Sequence, residues 1–278
     1  MRRAIGRQLV KYQRIGLYAW ARYRPLPRKR MAHSLPAPLI VSLTSFPPRF
    51  GTLAATLKGL LAQSVAPDKL ILWVAHEDSS KLPRNVRALQ KSGLTLCATD
   101  DLGSYKKIIP ALDLFPNAFI ATADDDMYYE PSWLECLVAG YGGDLEEIVC
   151  RRAHKIILDE NGRPLPYLQW ELNTDCRKRS NLIFPTSGGG VLYPPGCFHK
   201  DVFRRDIFTE LAPNADDMWL YWMARLNNRS FRRVGTKLRL LTWPKSQRHS
   251  LWSKNKMPDG GNDDQIDQLA SKYGFPFE

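Results

Sequence analysis

The sequence predicts an α/β fold built on a largely parallel sheet, and three observations predict it. Short apolar runs of strand length alternate with helix-period segments through residues 39–123. Alternation of this kind makes βαβ units, whose strands lie parallel in one sheet. Polar clusters, Thr44-Ser45, Asp100-Asp101 and Asp124-Asp125-Asp126, follow successive runs. They therefore share the carboxyl edge of the sheet, where ligands of open α/β folds bind.

The elements follow in order. Leu39-Ile40-Val41-Ser42-Leu43 reads as a buried strand, ended by Thr44-Ser45-Phe46-Pro47-Pro48. Thr52 is placed as the N-cap of a helix carrying Leu53, Leu57, Leu60 and Leu61 on one face. Residues 70–74 form the second strand; Pro83 opens a helix with Val86 and Leu89, and Gly93 closes it. Residues 94–97 are the third strand. Ser104 caps a segment bearing Ile108, Ile109 and Leu112, interrupted by Pro110. Residues 118–123 are the fourth strand, and the aspartates follow at once. The second half is less regular: a strand at 148–150, an irregular excursion at 164–170, a helix over 216–226, a strand over 238–242 and a polar helix over about 263–272.

Composition bounds the rest. A 44% hydrophobic content over 278 residues is enough for a substantial core, so disorder is excluded as the default. Of the +12 net charge, +10 sits in residues 1–30, which hold no acid, and +2 on everything else. The basicity belongs to an arm over residues 1–38, whose Pro25, Pro27, Pro36 and Pro38 read as a linker. Ile5, Leu9, Val10, Tyr12, Leu17, Tyr18 and Trp20 interleave with its cations at helical spacing, which suits an anionic membrane surface or a solvated extension. No helix-turn-helix, zinc-finger or RNP-like pattern accompanies it, so no nucleic acid is expected as partner. No run is long enough to span a bilayer, and the arm lacks a secretory apolar core, although an Arg-rich presequence would share its composition. Cys97, Cys136, Cys150, Cys176 and Cys197 have no CxxC spacing and read as reduced thiols. The expectation is cytoplasmic residence, with the arm offering peripheral attachment to the cytoplasmic face of a membrane. Residues 39–278 are read as one domain, with a regular half over 39–130, a less regular half over 131–250 and a tail over 251–278.

Three adjacent aspartates at the end of an apolar strand repel one another, and a divalent ion relieves that repulsion. Mg²⁺ and Mn²⁺ take oxygen ligands of this kind together with substrate phosphates. Alternate residues of an extended chain share a side, so Asp124 and Asp126 face one ion while Asp125 points elsewhere. A solvated acidic turn is the other reading.

Residues 39–245 resemble the GT-A (Rossmann-like) glycosyltransferases, and more narrowly the bacterial family-2-like enzymes of capsule and lipopolysaccharide assembly. The segments that carry the resemblance are LIVSLTSFPPRF, LAQSVAPDKLILWV, GSYKKIIPAL, FIATADDDMYYEPSWL, TSGGGVLYPPG and NADDMWLYWMARL. It implies a nucleotide-sugar donor, a UDP-sugar in first place, and a glycan or lipid-linked acceptor, with Mn²⁺ or Mg²⁺ as cofactor. Thr44, Ser45, Arg49, Asp101, Lys106, Lys107, Asp124 and Asp125 would line the donor nucleotide; Arg49 could equally be a solvated loop residue, Asp101 a surface acid, and one of the two lysines merely exposed. Asp124 and Asp126 would hold the metal, with His249 completing its shell or serving only as a structural histidine. Asp217 would be the general base, with Asp216 its possible substitute and helix capping the other role for the pair. Gly189 and Gly190, within Gly188-Gly189-Gly190, would let backbone approach donor sugar or acceptor, or form a tight turn. Trp170, Trp219 and Trp243 would stack on sugars or sit in the core. Direct displacement implies inversion, although retaining enzymes share the fold. The rivals are a sugar nucleotidyltransferase, which should carry a glycine-rich basic loop after the first strand, and a non-catalytic protein that binds membrane or nucleic acid through the arm.

Overall fold

The computed structural model describes residues 15–27, 29–238, 240–244, 246 and 261–277. His249 and most of the basic arm lie outside the described residues. Strands in chain order are β1 (Met31–Ala32), β2 (Leu39–Thr44), β3 (Val65–Ala66), β4 (Lys69–Ala75), β5 (Leu94–Thr99), β6 (Phe119–Ala123), β7 (Glu147–Cys150), β8 (Ala153–Lys155), β9 (Ile183–Pro185), β10 (Val191–Tyr193) and β11 (Ser230–Arg233). Helices are α1 over residues 15–23, α2 (Phe50–Leu61), α3 (Arg84–Arg87), α4 (Ile109–Leu114), α5 (Trp133–Gly140), α6 (Arg205–Leu211), α7 (Asp216–Arg225) and a C-terminal helix (Asn262–Tyr273).

Seven strands form the central sheet in the order β11-β7-β10-β6-β2-β4-β5. Strands β2, β4, β5 and β6 are parallel, β10 runs antiparallel between β6 and β7, and β11 is parallel to β7. The α/β class and largely parallel sheet expected from the sequence are what the chain adopts.

Side chains alternate across this sheet with the two-residue period of strands. Leu39, Val41 and Leu43 of β2, Leu70, Leu72 and Val74 of β4, and Phe119 and Ala121 of β6 face a layer made by α2 and α5. Ile40, Ile71, Trp73 and Ile120 face the opposite layer, made by α4, α7 and the C-terminal helix. Both faces being covered explains why the strands read as unbroken apolar runs.

The register gathers the functional edge. Leu43 pairs with Ala123 and Thr44 with Trp73, so the carboxyl ends of β2, β4 and β6 are level. Because β10 is antiparallel to β6, with Val191 opposite Thr122, its amino end meets the carboxyl end of β6. Cys150 pairs with both Val191 and Arg233, which brings the segments after β7 and β11 to the same edge.

Several local expectations change. The strand expected at 238–242 is not seen among its described residues, 238 and 240–242; the strand of this region is β11. Residues 241–243 meet the aspartate loop through a bridge from Met127 to Thr242 and backbone bonds from Tyr128 N–H to Leu241 C=O (2.8 Å) and from Trp243 N–H to Asp126 C=O (3.0 Å). Helix α2 starts at Phe50, directly after a 3₁₀ turn at Pro47–Arg49 whose prolines preset helical φ, and Thr52 is already inside it. Pro110 does not interrupt α4; it occupies the first turn, where its missing N–H costs nothing. The linker is pinned by parallel pairing of β1 with β3. Helix α1 buries Ala21 beside Ala55 and Trp243 while Ile15, Trp20 and Tyr23 face outward. All five cysteines are free thiols. Among the described residues no helix is long and apolar enough to cross a membrane.

Candidate active site

Strand β6 delivers Asp124, Asp125 and Asp126 to the carboxyl edge, and each carboxylate is held differently. Asp125 accepts from Ser45 Oγ (2.5 Å) at the end of β2 and from Arg49 Nη1 (2.9 Å). The same Arg49 nitrogen lies 2.8 Å from Asp126. Asp124, the most exposed of the three, accepts from Lys107 Nζ (3.1 Å), and its backbone N–H donates to the Tyr129 hydroxyl (2.7 Å). Asp125 and Asp126 are buried at 5% and 4% exposure, so the acidic run is not a solvated turn. Desolvation raises the carboxyl of Asp126 to about 7, against the opposing pull of Arg49. Desolvation also raises Asp125.

Lys107 is the hinge between the two halves of the site. Its carbonyl accepts from Ser42 Oγ (2.6 Å), which in turn accepts from Trp73 Nε1 (2.9 Å), fixing the residue to the sheet interior. Its ammonium reaches Asp124 and, 2.9 Å away, Asp216 at the start of α7. Burial alone would lower this lysine, but Asp124, Asp216 and Asp217 hold it well above its ordinary value. Neither lysine is merely exposed, as the sequence allowed: Lys106 is buried too, ion-paired to Asp101. Asp101 itself stays a surface acid, its side chain 55% exposed, as the other reading had it.

Asp217 accepts from the Ser187 backbone N–H (3.1 Å) and from the Ser187 hydroxyl. Its carboxyl is raised to about 7, first by desolvation and then by the charge of Asp216. Neither aspartate caps α7, because the N-cap is Ala215 with no side-chain bond; one is ion-paired and the other bound by Ser187. The helix-cap reading is thereby corrected.

The segment Thr186-Ser187-Gly188-Gly189-Gly190 threads between these groups. A Cβ on Gly188 would sit 3.2 Å from Asp124 Oδ2, and one on Gly189 would sit 2.3 Å from Arg152 Cβ. Gly190 has φ +95°, and a Cβ there would fall 2.5 Å from the Trp133 ring. Trp133 Nε1 donates to Gly189 C=O (2.7 Å), locking the turn.

Some sugar-stacking expectations fail. Trp219 has no exposed surface; its ring packs against Phe208 and Tyr273, and Nε1 donates to Val202 C=O (3.1 Å). Trp170 is 4% exposed among Tyr167 and Phe184. Trp243, 2% exposed, is buried against Tyr18 and Tyr128. All three are core rings with no free face for a sugar.

The sequence reading missed the residues that hold this loop. Thr56, fully buried on α2, shares its hydroxyl hydrogen between the Asp125 carbonyl (2.8 Å) and the Met127 carbonyl (3.0 Å), and accepts from Trp243 Nε1 (2.7 Å). A polar residue between Leu53 and Leu60 on an apolar helical stripe was the available signal. Tyr129 and Ser187 gave no signal beyond lying inside recognisable segments.

Five carboxylates, Asp124, Asp125, Asp126, Asp216 and Asp217, thus share two cations, Arg49 and Lys107. Among the described residues no three His, Cys, Asp or Glu side chains converge into a ready-made metal shell. The donor chemistry nonetheless fits a hard divalent ion, because Mg²⁺ and Mn²⁺ need only one or two carboxylates when substrate phosphates supply the rest.

No known protein-family profile matches the chain, and no curated protein matches it. Solved structures do. One is GalNAc-T7 with UDP, GalNAc and Mn²⁺, at 13% identity over 74% of this chain and 45% of that one, with TM-score 0.43. Another is S. aureus TarS 1-349, at 14% identity over 87% and 70%, TM-score 0.44. A third is the inositol-1-phosphate CTP transferase from T. maritima, at 11% identity over 85% and 99%, TM-score 0.41. The likeness is of fold alone, and the chain spans less than half the length of the GalNAc-T7 chain. The chain's own sheet order and covered faces are those of an α/β fold with a largely parallel sheet between two layers.

Proposed function

We propose that the chain is a glycosyltransferase that moves a sugar from a nucleoside-diphosphate sugar to a hydroxyl acceptor. The observation that carries this reading is the charge of the site. Ionised, the five carboxylates outnumber Arg49 and Lys107 by three charges in a buried setting, an arrangement that favours a divalent ion. Asp124 and Asp126 would hold that ion, which when bound supplies Lewis-acid stabilisation of the leaving diphosphate. Ser45 and Arg49 orient Asp125, and Lys107 orients Asp124 against Asp216.

Asp217 takes the acceptor proton. Its carboxyl near 7 is matched to that task at neutral pH, and the Ser187 bonds fix its direction. The acceptor oxygen then bonds to the anomeric carbon as the bond from that carbon to the diphosphate oxygen breaks, which inverts the centre. A UDP-sugar donor and a glycan or lipid-linked acceptor of cell-surface polysaccharide synthesis extend the proposal. So does attachment of the basic arm to an anionic membrane. The nucleotidyltransferase alternative is less well served, because β2 is followed by Pro47–Arg49 with Arg49 committed to the aspartates, not by a glycine-rich basic loop.

The test is nucleotide release from a panel of nucleotide-sugars with Mn²⁺, Mg²⁺ or EDTA. Turnover is expected only with metal and only in the wild type, with Asp126→Ala inactive. Metal-independent turnover, or full activity of Asp126→Ala, sinks the reading.

A further inference from the structure

Beyond the aspartates, the same sheet edge carries a second concavity that is cationic. It has a volume of about 430 Å³ and is lined by Arg152, Asn173, Lys237, Leu238 and Leu240. That is within the size range of small-molecule sites. Arg152 follows β7 and Lys237 follows β11, two parallel neighbours, which is why two cations from distant sequence meet there.

The concavity borders the reaction centre through the 186–189 segment. Thr186 Oγ1 accepts from Arg152 Nη1 (2.8 Å), Ser187 binds Asp217, and Gly188 lies between Asp124 and Leu240. Consecutive residues of one turn thus touch the pocket's cation, the base and the aspartate loop. The bareness of Gly188 and Gly189 keeps these groups close.

The cations are not equally available. Lys237 Nζ lies 3.0 Å from Asp175, a carboxylate that Arg233 also approaches at 3.8 Å. Arg152 forms no ion pair among the described residues. Burial lowers its pKa against the weaker opposing pull of Tyr167 and Asp217, so a further anionic partner would stabilise its charge. A guanidinium beside an apolar wall of Leu238 and Leu240 suits a phosphate or carboxylate held by a fork of hydrogen bonds.

We infer that this pocket is the acceptor subsite and that it takes an anionic group of the acceptor, a phosphate or a carboxylate, on Arg152 and Lys237. The assignment as acceptor subsite rests on Asp217 being the base of the proposed transfer; the anion preference rests on the pocket alone.

Calorimetric titration tests it, using inorganic phosphate, glucuronate and neutral glucose as probes, with UDP and Mn²⁺ saturating so that diphosphate contacts are occupied. One of the anions is expected to bind about tenfold or more tighter than glucose, and Arg152→Gln and Lys237→Gln each to remove most of that advantage. Preference for phosphate assigns a phosphorylated acceptor, and preference for glucuronate a uronic-acid one. Anion binding no better than glucose, or unchanged in both variants, overturns the inference. Should Arg152→Gln fail to fold, Lys237→Gln decides, since that side chain is half exposed. Should UDP fail to bind, the donor reading falls, and the anion titration without UDP still judges the pocket by the same variants.

Discussion

At the scale of single residues, the site separates carboxylates by environment. Asp125 is engaged by Ser45 and Arg49, whereas Asp217 is buried beside a carboxylate neighbour, held by Ser187 and opposed by the charge of Lys107. Burial and the charge of Asp216 raise the carboxyl of Asp217 to about 7, and in the proposed transfer its ionised form would be the base. Its expected signature is a kcat/KM that rises about tenfold per pH unit below roughly 7 and then levels. Asp217→Asn should lower kcat by about 10²–10⁴-fold with little change in donor KM. A pH-rate profile for wild type and variant checks both, and an unchanged kcat in the variant removes Asp217 from the chemistry. Much of this was legible beforehand: the three aspartates, Lys107 and the Asp216-Asp217 pair were all singled out from sequence. Their division of labour was not, because it depends on partners such as Ser187 and Tyr129 that any polar loop residue could have been.

At the scale of elements, the strands of the first half were read in place because they are buried on both faces, while helix starts, at Thr52 and Pro110, were not. The second half resisted for a physical reason. Strand β10 has three residues and β9 also three, too short for a period to register, and both pair with partners distant in sequence. Residues 238–242 look like a strand in sequence, but 241–243 serve as a strap against the aspartate loop, fastened at Thr242 and Trp243. Thr56 joins helix α2, this strap and the loop through one hydroxyl. Thr56→Val should leave two buried carbonyls and one indole N–H short of a partner, costing about 1–3 kcal/mol. It should also raise the Mn²⁺ concentration needed for half-maximal activity, and Thr56→Ser should restore both. Denaturant melts alongside Mn²⁺ titrations separate this from general destabilisation, which would lower the melt and spare the Mn²⁺ requirement.

At the scale of the whole molecule, a reaction centre with surplus negative charge is held against the stability of its own fold. Asp217 binds its proton more tightly folded, near 7, than unfolded, near 3.8. A raised acid contributes stability that is fully present below about 4 and is lost as pH climbs through about 7. Metal-free protein should thus have a lower Tm at pH 8 than at pH 5, and Asp217→Asn should shrink that difference; equal pH dependence in the two proteins would contradict the buried-acid account. The strap has a further consequence, in the order of synthesis. Strands β2, β4, β5 and β6 are complete once residue 123 has emerged, yet Asp217 and the Trp243 fastening come about a hundred residues later. A growing chain can lay down half of its sheet early, while the site stays unassembled until the strap is made.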